Sequence, residues 1–485
     1  MKRTTLLVAT AALTLAACSP IAHDAVPQDV LPDIYPDYVG VTVPEGIAPL
    51  DFVLRGAEAL EAEIAAPDGT VLRSRGKSAT RFSVKGWKHL LQSALGDSLK
   101  VSVWGLFKGD WKAFRPFSIH VSTDGIDYGL TYRLLEPGYE VYSHMGIYER
   151  ELSSFRQRAL IENTQFDGCV NCHSFNHNDP GAMSLHIRGP HGATLLTSGD
   201  EITAFNTKTD ATLGFCVYPY WHPSGRFIAY STNNTRQSFH VQEDKLIEVF
   251  DLDSDLQVYD LEKNEVITAP QIKQKGIWES FPAFSPDGRT LYFTQAVQVE
   301  IPGELPQSRY NLMKVGFDPA TGTIGQEVEM LVDAASLSKS ISFPKPSYDG
   351  RYIMYTLCDY GTFPIWHHES DLWLLDLESG ETRPLEEVNS PDTDSYHNWS
   401  SNGRWFVFSS RRDDGLYVQV YFSSIDGNGH CTKPFVLPQK NPRKFYHNTL
   451  YSYNVPDFTK DKVKFDTRGV YREVFSDERV QASVK

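Results

Sequence analysis

Short runs in which apolar and polar residues alternate recur through most of the chain, and turn residues separate them. Alternation with a period of two predicts half-buried β-strands. Four of the runs follow one kind of turn, in which Ser, Asp or Asn precedes Gly-Arg, and Gly suits it because Gly adopts a positive φ without strain. The turn glycines are Gly225, Gly288, Gly350 and Gly403. A second strand follows in most repeats, most clearly at Asp255–Leu261 and Asp371–Leu377. Short strands that repeat every 50–60 residues or so predict four-stranded β-propeller blades.

These repeats resemble the propeller blades of the TolB family of periplasmic proteins. The resemblance covers roughly residues 190–445 and implies about six blades. A degenerate blade is expected before the four clear ones, because Pro190-His-Gly aligns with Pro286-Asp-Gly. We therefore predict a propeller over residues 191–445 and a C-terminal segment, residues 446–485, that closes the ring.

Residues 36–143 precede the repeats and also alternate in the manner of strands, for example at Val101–Trp104 and Phe117–Val121. One short helix is expected within Gly86–Leu95, where apolar residues follow helical spacing. About 110 residues suffice for a separate domain, and the pattern favours a β-sandwich. The whole chain is therefore predicted to be all-β.

The first residues have the pattern of an export signal. Lys2 and Arg3 precede a short apolar run that ends in small residues before Cys18. This ending resembles the bacterial lipobox, which implies that residues 1–17 are removed and that Cys18 carries lipid. Residues 18–35 are Pro-rich and are predicted to form a tether. The resemblance places the protein at the outer membrane, facing either the periplasm or the cell surface. The alternative is an ordinary signal peptide beside an incidental Cys18.

The composition excludes some partners. The formal net charge is −15, which argues against nucleic acid as a partner. Membrane association is expected through the lipid alone, and the protein partner is expected to be an envelope or redox protein. The sequence has no G-x-S-x-G elbow and no phosphate-binding glycine loop, so an enzymatic activity is not expected.

The strongest chemical motif is Cys169-Val-Asn-Cys172-His173. The spacing C-x-x-C-H is that of c-type haem attachment, in which two thiols add to the haem vinyl groups and the His is the proximal ligand of the iron. We therefore predict one covalent haem c. A thioredoxin-type disulfide and a zinc site lack the context or second ligand pair that they require. A structural disulfide beside a chance His remains open.

The sixth ligand of such a haem is less well defined. His186, Met183 and an open coordination position are the main alternatives. His177 is disfavoured because it lies so near His173, and His191 occupies a turn position of the repeat. Residues 144–190 are accordingly predicted to be a haem-attachment segment between the N-terminal domain and the propeller.

The combination of lipobox, β domain, C-x-x-C-H motif and TolB-like blades resembles envelope lipoproteins of the Bacteroidetes group. The leading hypothesis is a membrane-anchored monohaem protein that transfers electrons and docks a partner on its propeller. The alternative is a non-enzymatic scaffold or binding protein of the envelope with the same propeller.

Overall fold

The computed structural model describes residues 24–136, 143–166, 168–199, 201–242, 245–447, 450–476 and 478–485. Cys18 and the predicted signal peptide, residues 1–17, lie outside these ranges. Within them, no helix combines the length and the apolar character that a membrane crossing requires.

The N-terminal domain consists of nine strands and one helix. Its elements are β1 (Val26–Pro27), β2 (Ile34–Tyr35), β3 (Thr42–Pro44), β4 (Val53–Leu54), β5 (Ala59–Ala65), β6 (Val71–Gly76), α1 (Val84–Gln92), β7 (Ser98–Phe107), β8 (Asp110–Ala113) and β9 (Phe117–Ser122). Seven strands form one mixed sheet, while β2 and β4 pair separately. The domain is therefore built around one large sheet rather than the two sheets of a sandwich. The predicted helix is present, and Ser83 caps it by accepting a hydrogen bond from Gly86 N.

The described part of the predicted tether, residues 24–35, belongs to this domain. β1 pairs in parallel with β8, and β2 pairs with β4. The tether prediction rested on proline content, but these prolines flank short edge strands, where a missing N–H is tolerated.

A six-bladed propeller follows, in which the first blade is completed by a later strand. Its strands are β10 (Gly129–Glu136), β11 (His144–Glu151) and β12 (Gln157–Glu162) in blade 1; β13 (Cys169–Phe175), β14 (Ala182–Arg188), β15 (Ala193–Ser198) and β16 (Glu201–Asn206) in blade 2; β17 (Cys216–Trp221), β18 (Phe227–Gln242), β19 (Lys245–Asp260) and β20 (Glu265–Ile267) in blade 3; β21 (Ile277–Phe284), β22 (Thr290–Val297), β23 (Asn311–Asp318) and β24 (Thr323–Val332) in blade 4; β25 (Ser340–Pro346), β26 (Tyr352–Cys358), β27 (Asp371–Asp376) and β28 (Thr382–Pro384) in blade 5; and β29 (Asp394–Trp399), β30 (Trp405–Ser410), β31 (Gln419–Ser424) and β32 (Phe435–Val436) in blade 6. The all-β propeller fold predicted from the repeats is confirmed.

The C-terminal residues tie the ring together. Their elements are α2 (Pro442–His447), β33 (Ser452–Thr459), α3 (Thr467–Ser476), β34 (Val480–Gln481) and β35 (Ser483–Val484). β33 pairs with β10 and is the innermost strand of blade 1. β34 and β35 add parallel strands to the outer edges of blades 2 and 3. Blade 1 thus combines strands from both ends of the propeller sequence.

The four Gly-Arg turns connect the innermost strand of a blade to its second strand. Their glycines have φ values between +65° and +76°, as the turn prediction requires. The alignment of Pro190-His191-Gly192 with these turns was wrong, because this segment joins the second and third strands of blade 2. In blade 2 the equivalent turn is at Asn176–Gly181, where His177 and Asn178 adopt positive φ.

The propeller therefore starts at Gly129 rather than at residue 191, and the predicted N-terminal domain ends correspondingly earlier. Residues 144–190 are not a separate segment between two domains, because they form strands of blades 1 and 2. The prediction of about six blades, one of them degenerate, placed the first blades too late in the sequence because neither blade 1 nor blade 2 contains a Gly-Arg turn.

The N-terminal domain packs against blade 6. Trp405 Nε1 donates a hydrogen bond to Asp124 O at 3.0 Å, and Ser401 N donates one to Asp127 Oδ2 at 2.7 Å. Nearby, Tyr348 of blade 5 donates a hydrogen bond to Asn178 of blade 2 at 2.6 Å. These contacts join turns of three blades at the end of the propeller where the innermost strands finish.

Candidate functional site

The innermost strands of all six blades surround a central cavity of about 370 Å³. This volume is at the lower end of the range typical of small-molecule pockets, roughly 300–1,000 Å³. The long β18–β19 hairpin of blade 3 adds Thr235, Gln237, Ile247 and Val249 to the wall, and a blade 5 loop adds Phe363 and Trp366. The cavity is thus formed by residues that are far apart in sequence.

Each innermost strand contains one β-bulge at the level of this cavity. In each bulge two residues lie opposite a single residue of the second strand, and the first of the two has a φ near +50°, which is uncommon for residues other than Gly. The six first residues are Val455, Cys172, Tyr218, Phe281, Phe343 and Tyr396. The six second residues are Pro456, His173, Pro219, Pro282, Pro344 and His397. The bulge is therefore a repeated feature of the blade.

The Cys-His pair of the C-x-x-C-H motif forms the bulge of blade 2. Cys172 has a φ of +52° and occupies the position that Phe or Tyr holds in blades 3 to 6. His173 occupies the position of the proline in four other blades. The motif lies in strand β13, within the ring, and its side chains line the cavity.

His173 is buried between blades 1 and 2. Its Nε2 lies 3.1 Å from Thr131 Oγ1, while its Nδ1 has no partner. Burial, together with the nearby cations Arg133 and Lys345, lowers the pKa of this imidazole to about 3. His173 is therefore neutral at pH 7.

Both thiols of the motif are unpaired. Cys169 is half-buried, whereas Cys172 is 6% exposed. Burial raises the pKa of Cys172, although Arg188 and Arg133 oppose this shift. The thiols therefore differ in accessibility.

The candidates for a sixth haem ligand lie elsewhere. Met183 is fully buried in the apolar core shared with blade 1, and His186 is buried with Nδ1 3.3 Å from Thr194 Oγ1. His191 is in the turn before β15 and its ring contacts Phe475. None of the three is among the residues that line the cavity. His177 also lies outside it, in the turn after β13.

The cavity wall is positively charged, in contrast to the protein as a whole. Within the described ranges it carries four basic side chains and one carboxylate, which are Arg133, Arg188, Lys345, Arg411 and Asp457. The carboxylate accepts hydrogen bonds from Asn398 Nδ2 at 2.7 Å and from Phe175 N at 3.3 Å. Burial raises the pKa of Asp457 to about 7, and Lys345 opposes this shift.

The β18–β19 hairpin is fixed to blade 5 by a buried polar network. Glu248 of the hairpin accepts a hydrogen bond from Tyr360 at 2.5 Å, and its other oxygen lies 3.3 Å from His367 Nε2. Lys245 pairs with Glu369 at 2.9 Å. Burial opposes protonation of His367, but hydrogen bonds that its ring donates to Cys358 and to these carboxylates raise its pKa well above the usual value. The network holds one side of the cavity wall in place.

A covalent haem is only partly compatible with this arrangement. Cys169 and Cys172 fit the attachment, because both thiols are unpaired and both line the cavity. The fit at the iron ligand is incomplete, because Nε2 of His173 is already hydrogen-bonded. Within the described ranges, no three or more His, Cys, Asp or Glu side chains are grouped to hold a metal ion by themselves.

The sequence contains a signal for the bulge that neither the C-x-x-C-H motif nor the Gly-Arg turns reveal. An aromatic residue and Pro or His precede the Gly-Arg turn by several residues, as in Phe281-Pro282 and Tyr396-His397. Extending the repeat in this direction aligns Cys172-His173-Ser-Phe with Tyr218-Pro-Tyr-Trp. The cationic wall had no comparable signal, because its residues come from different blades.

Comparisons with known proteins add no functional assignment. No protein-family model matches the chain, and no curated protein matches it. Among solved structures, a DUF4784 family protein from Bacteroides caccae is similar over 74% of this chain and 96% of its own, with 9% identity and a TM-score of 0.32. An oligogalacturonate lyase from Vibrio parahaemolyticus is similar over 59% of this chain and 84% of its own, with 11% identity and a TM-score of 0.34. The β-propeller domain of the Trilobed protease from Pyrococcus furiosus is similar over 70% of this chain and 82% of its own, with 11% identity and a TM-score of 0.35. The blades described above establish the propeller fold, and these likenesses support no statement about activity.

Proposed function

We propose that the protein is an envelope lipoprotein that binds a small molecule in the central cavity of its propeller. The observation that carries this proposal is the convergence of six bulged strands on one cavity whose wall is both aromatic and cationic. Binding pockets typically combine an apolar lining with a few placed polar groups. The cavity has this composition.

Unsatisfied polar atoms beside the cavity support the same proposal. Arg133 Nε, His173 Nδ1, His397 Nδ1 and Asn454 Oδ1 are buried without a hydrogen-bond partner, and all four residues line the cavity. Such atoms are rare in folded proteins because each costs free energy. Proteins retain this kind of cost mainly at functional sites.

A thermal-shift screen of the full chain against a library of small metabolites tests the proposal. Compounds that raise the melting temperature should lose affinity by tenfold or more in Gln237→Trp, which fills the cavity mouth. Arg236→Trp is the matched control, because neighbouring residues of a strand point to opposite faces. If every compound that binds the wild type binds Gln237→Trp equally well, ligands do not use the cavity.

A second candidate function is electron transfer by a covalent haem, and the two unpaired thiols on the cavity wall favour it. Cys169 and Cys172 would hold the haem, and His173 would be its protein ligand. One-electron exchange is the chemistry that the haem would supply. Use of His173 Nε2 as the ligand would require its hydrogen bond to Thr131 to be given up.

Expression with the cytochrome c maturation machinery tests this candidate. The expected results are an added mass of one haem and visible absorption bands that sharpen on reduction with dithionite. Both should disappear in the double variant Cys169→Ala/Cys172→Ala and persist in Cys216→Ala, which removes a buried cysteine outside the cavity wall. Wild-type protein without haem from a competent host would rule out this function and leave the binding proposal intact.

The proposed lipid anchor is tested separately. Cys18→Ser should move the protein from the membrane fraction to the soluble fraction, or prevent its processing. Cys431→Ser is the control, since it replaces a cysteine of blade 6. Unchanged fractionation of Cys18→Ser would exclude the lipoprotein and retain an ordinary export signal.

A further inference from the structure

We infer that the ligand of the central cavity is an anion, a small carboxylate with a planar apolar body, and that Lys345 and Arg133 bind its carboxylate. This inference rests on the proposed binding function and specifies its ligand class. It is carried by the position and the partners of these two cations and by the aromatic wall beside them.

Lys345 is available to an external anion. It follows the bulge of blade 5 and lines the cavity with a partly exposed side chain. Its ammonium lies 4.9 Å from the centroid of the Tyr220 ring. Among the described residues it has neither a hydrogen bond nor an ion pair. Burial lowers the pKa of this ammonium, although Asp457 opposes the shift, so its charge is costly in the cavity and a carboxylate ligand offsets that cost.

Among the described residues of the cavity wall, Asp457 is the one carboxylate, and it acts on Lys345 only at longer range. Asp457 is engaged by Asn398 and by the backbone of Phe175, and it forms no ion pair with Lys345. Its ionisation is also suppressed by burial. Lys345 therefore keeps a positive charge that a ligand can balance.

Arg133 supplies the second cation. It projects from β10, and its Nη1 donates a hydrogen bond to Asn171 Oδ1 at 2.5 Å. Its Nε has no partner, and the side chain is partly exposed at the cavity. A guanidinium held in this way presents a fixed fork of donors, which suits a carboxylate. Arg133, Lys345 and His173 all line the same cavity.

An aromatic wall adjoins these cations. Phe281 lies 4.4 Å from Phe343 and 4.9 Å from Tyr218, measured between ring centroids. Phe343 in turn lies 4.7 Å from Tyr396. Each of these four aromatic residues is the first residue of its bulge, and all four line the cavity. A planar apolar body packs favourably against such rings. The limited volume of the cavity favours a small ligand.

Calorimetric titration of the full chain with benzoate and with benzamide tests the inference, because the two compounds have similar shape and differ in charge. We expect benzoate to bind at least tenfold more tightly than benzamide. Lys345→Met, which keeps the length of the side chain, should remove this preference. Lys314→Met is the matched control, since Lys314 lies on β23 of blade 4 and pairs with Glu329 at 3.1 Å. Arg133→Gln provides an independent test if Lys345→Met does not fold.

Equal affinity for the two compounds would overturn the anion inference while leaving the cavity as a binding site. A preference for benzoate that survives in both Lys345→Met and Arg133→Gln would also overturn it. If neither compound binds at about 10 mM, any binding free energy is weaker than roughly −3 kcal/mol, and this ligand class is excluded. The metabolite screen then decides the binding function independently.

Discussion

His173 of blade 2 and His397 of blade 6 occupy equivalent places in the ring. Each is the second residue of a bulge, and each bonds through Nε2 to the second strand of the preceding blade. The partner of His173 is Thr131 Oγ1 at 3.1 Å, and that of His397 is Met354 O at 2.8 Å. The equivalence gives His173 a structural role that does not depend on a haem.

We predict that His173→Pro and His397→Pro both fold, because proline holds this position in the other four blades. Each variant loses one buried hydrogen bond, so each should lower the free energy of unfolding by about 1–2 kcal/mol. Urea unfolding followed by tryptophan fluorescence measures this. A specific role of His173 in haem binding would appear as a loss of haem in His173→Pro alone. Failure of both variants to fold would show that the bulge requires an N–H at this position.

A second prediction concerns the turn of blade 4. Gly288 has a φ of +70°, and a Cβ at this position would collide with His222 Nε2, whereas a Cβ on Gly403 at φ +65° would meet no atom within 4 Å. Gly403→Ala should therefore cost about 1 kcal/mol from backbone strain alone. Gly288→Ala should cost about 2–4 kcal/mol, because His222 is enclosed by Phe227, Phe284 and Phe317. If urea unfolding shows that Gly288→Ala and Gly403→Ala lose the same free energy of unfolding, the predicted collision is contradicted.

The buried carboxyl group of Glu279 should make the stability of the protein depend on pH. The side chain is fully buried, its Oε2 has no partner, and burial raises its pKa to about 8. An acid whose pKa is raised on folding contributes its full stabilisation of the folded state below the unfolded pKa of about 4.5. This contribution is lost as the pH rises from about 4.5 to about 8. Glu279→Gln should match the wild type near pH 4.5 and exceed its free energy of unfolding by about 1 kcal/mol or more near pH 8. Parallel pH profiles for the two proteins would refute the shifted pKa.

The anion site should itself respond to pH. Burial raises the pKa of Asp457 to about 7 and lowers that of Lys345, and it lowers the pKa values of His173 and His397 to about 3, so both imidazoles stay neutral at higher pH. Ionisation of Asp457 brings negative charge near Lys345, so benzoate should bind roughly three- to tenfold more weakly at about pH 8.5 than at about pH 5.5. Asp457→Asn should flatten this dependence in calorimetric titrations. An unchanged pH profile in that variant would assign the effect to another group.

The thiols give a fifth prediction. Cys169 is half-buried, whereas burial raises the pKa of Cys172, Cys216, Cys358 and Cys431 and so depletes their reactive thiolates. Iodoacetamide applied to the native protein should therefore modify Cys169 first, as peptide mass spectrometry would show. Lack of modification at both Cys169 and Cys172, reversed by a reducing agent, would indicate a disulfide between them.

The sequence was informative where local chemistry determines the structure. Gly288 and its counterparts predicted the turns because few residues other than Gly adopt their backbone angles. The helix expected within Gly86–Leu95 occurs at Val84–Gln92, where spacing and the Ser83 cap agree.

The sequence was less informative where the ring brings distant residues together. Lys345 and Arg133 lie in blades 5 and 1, and no local pattern places them at one cavity. The haem prediction at Cys172-His173 stays untested, and the backbone setting of the pair was not predicted. The motif matches haem attachment in sequence, but its backbone is that of a bulge which other blades form with Phe-Pro or Tyr-His.

Closure of the ring by β33 has a consequence for how the protein acquires its cavity. Thr131 and Asp457, which face each other across β10 and β33, are 326 positions apart. Joining segments so distant carries a large loop-closure entropy and slows folding. Arg133 therefore gains its neighbour strand, and the cavity its last wall, only after residues up to Thr459 have been synthesised. Until then the edge of β10 that pairs with β33 is open, which exposes a nascent chain to aggregation.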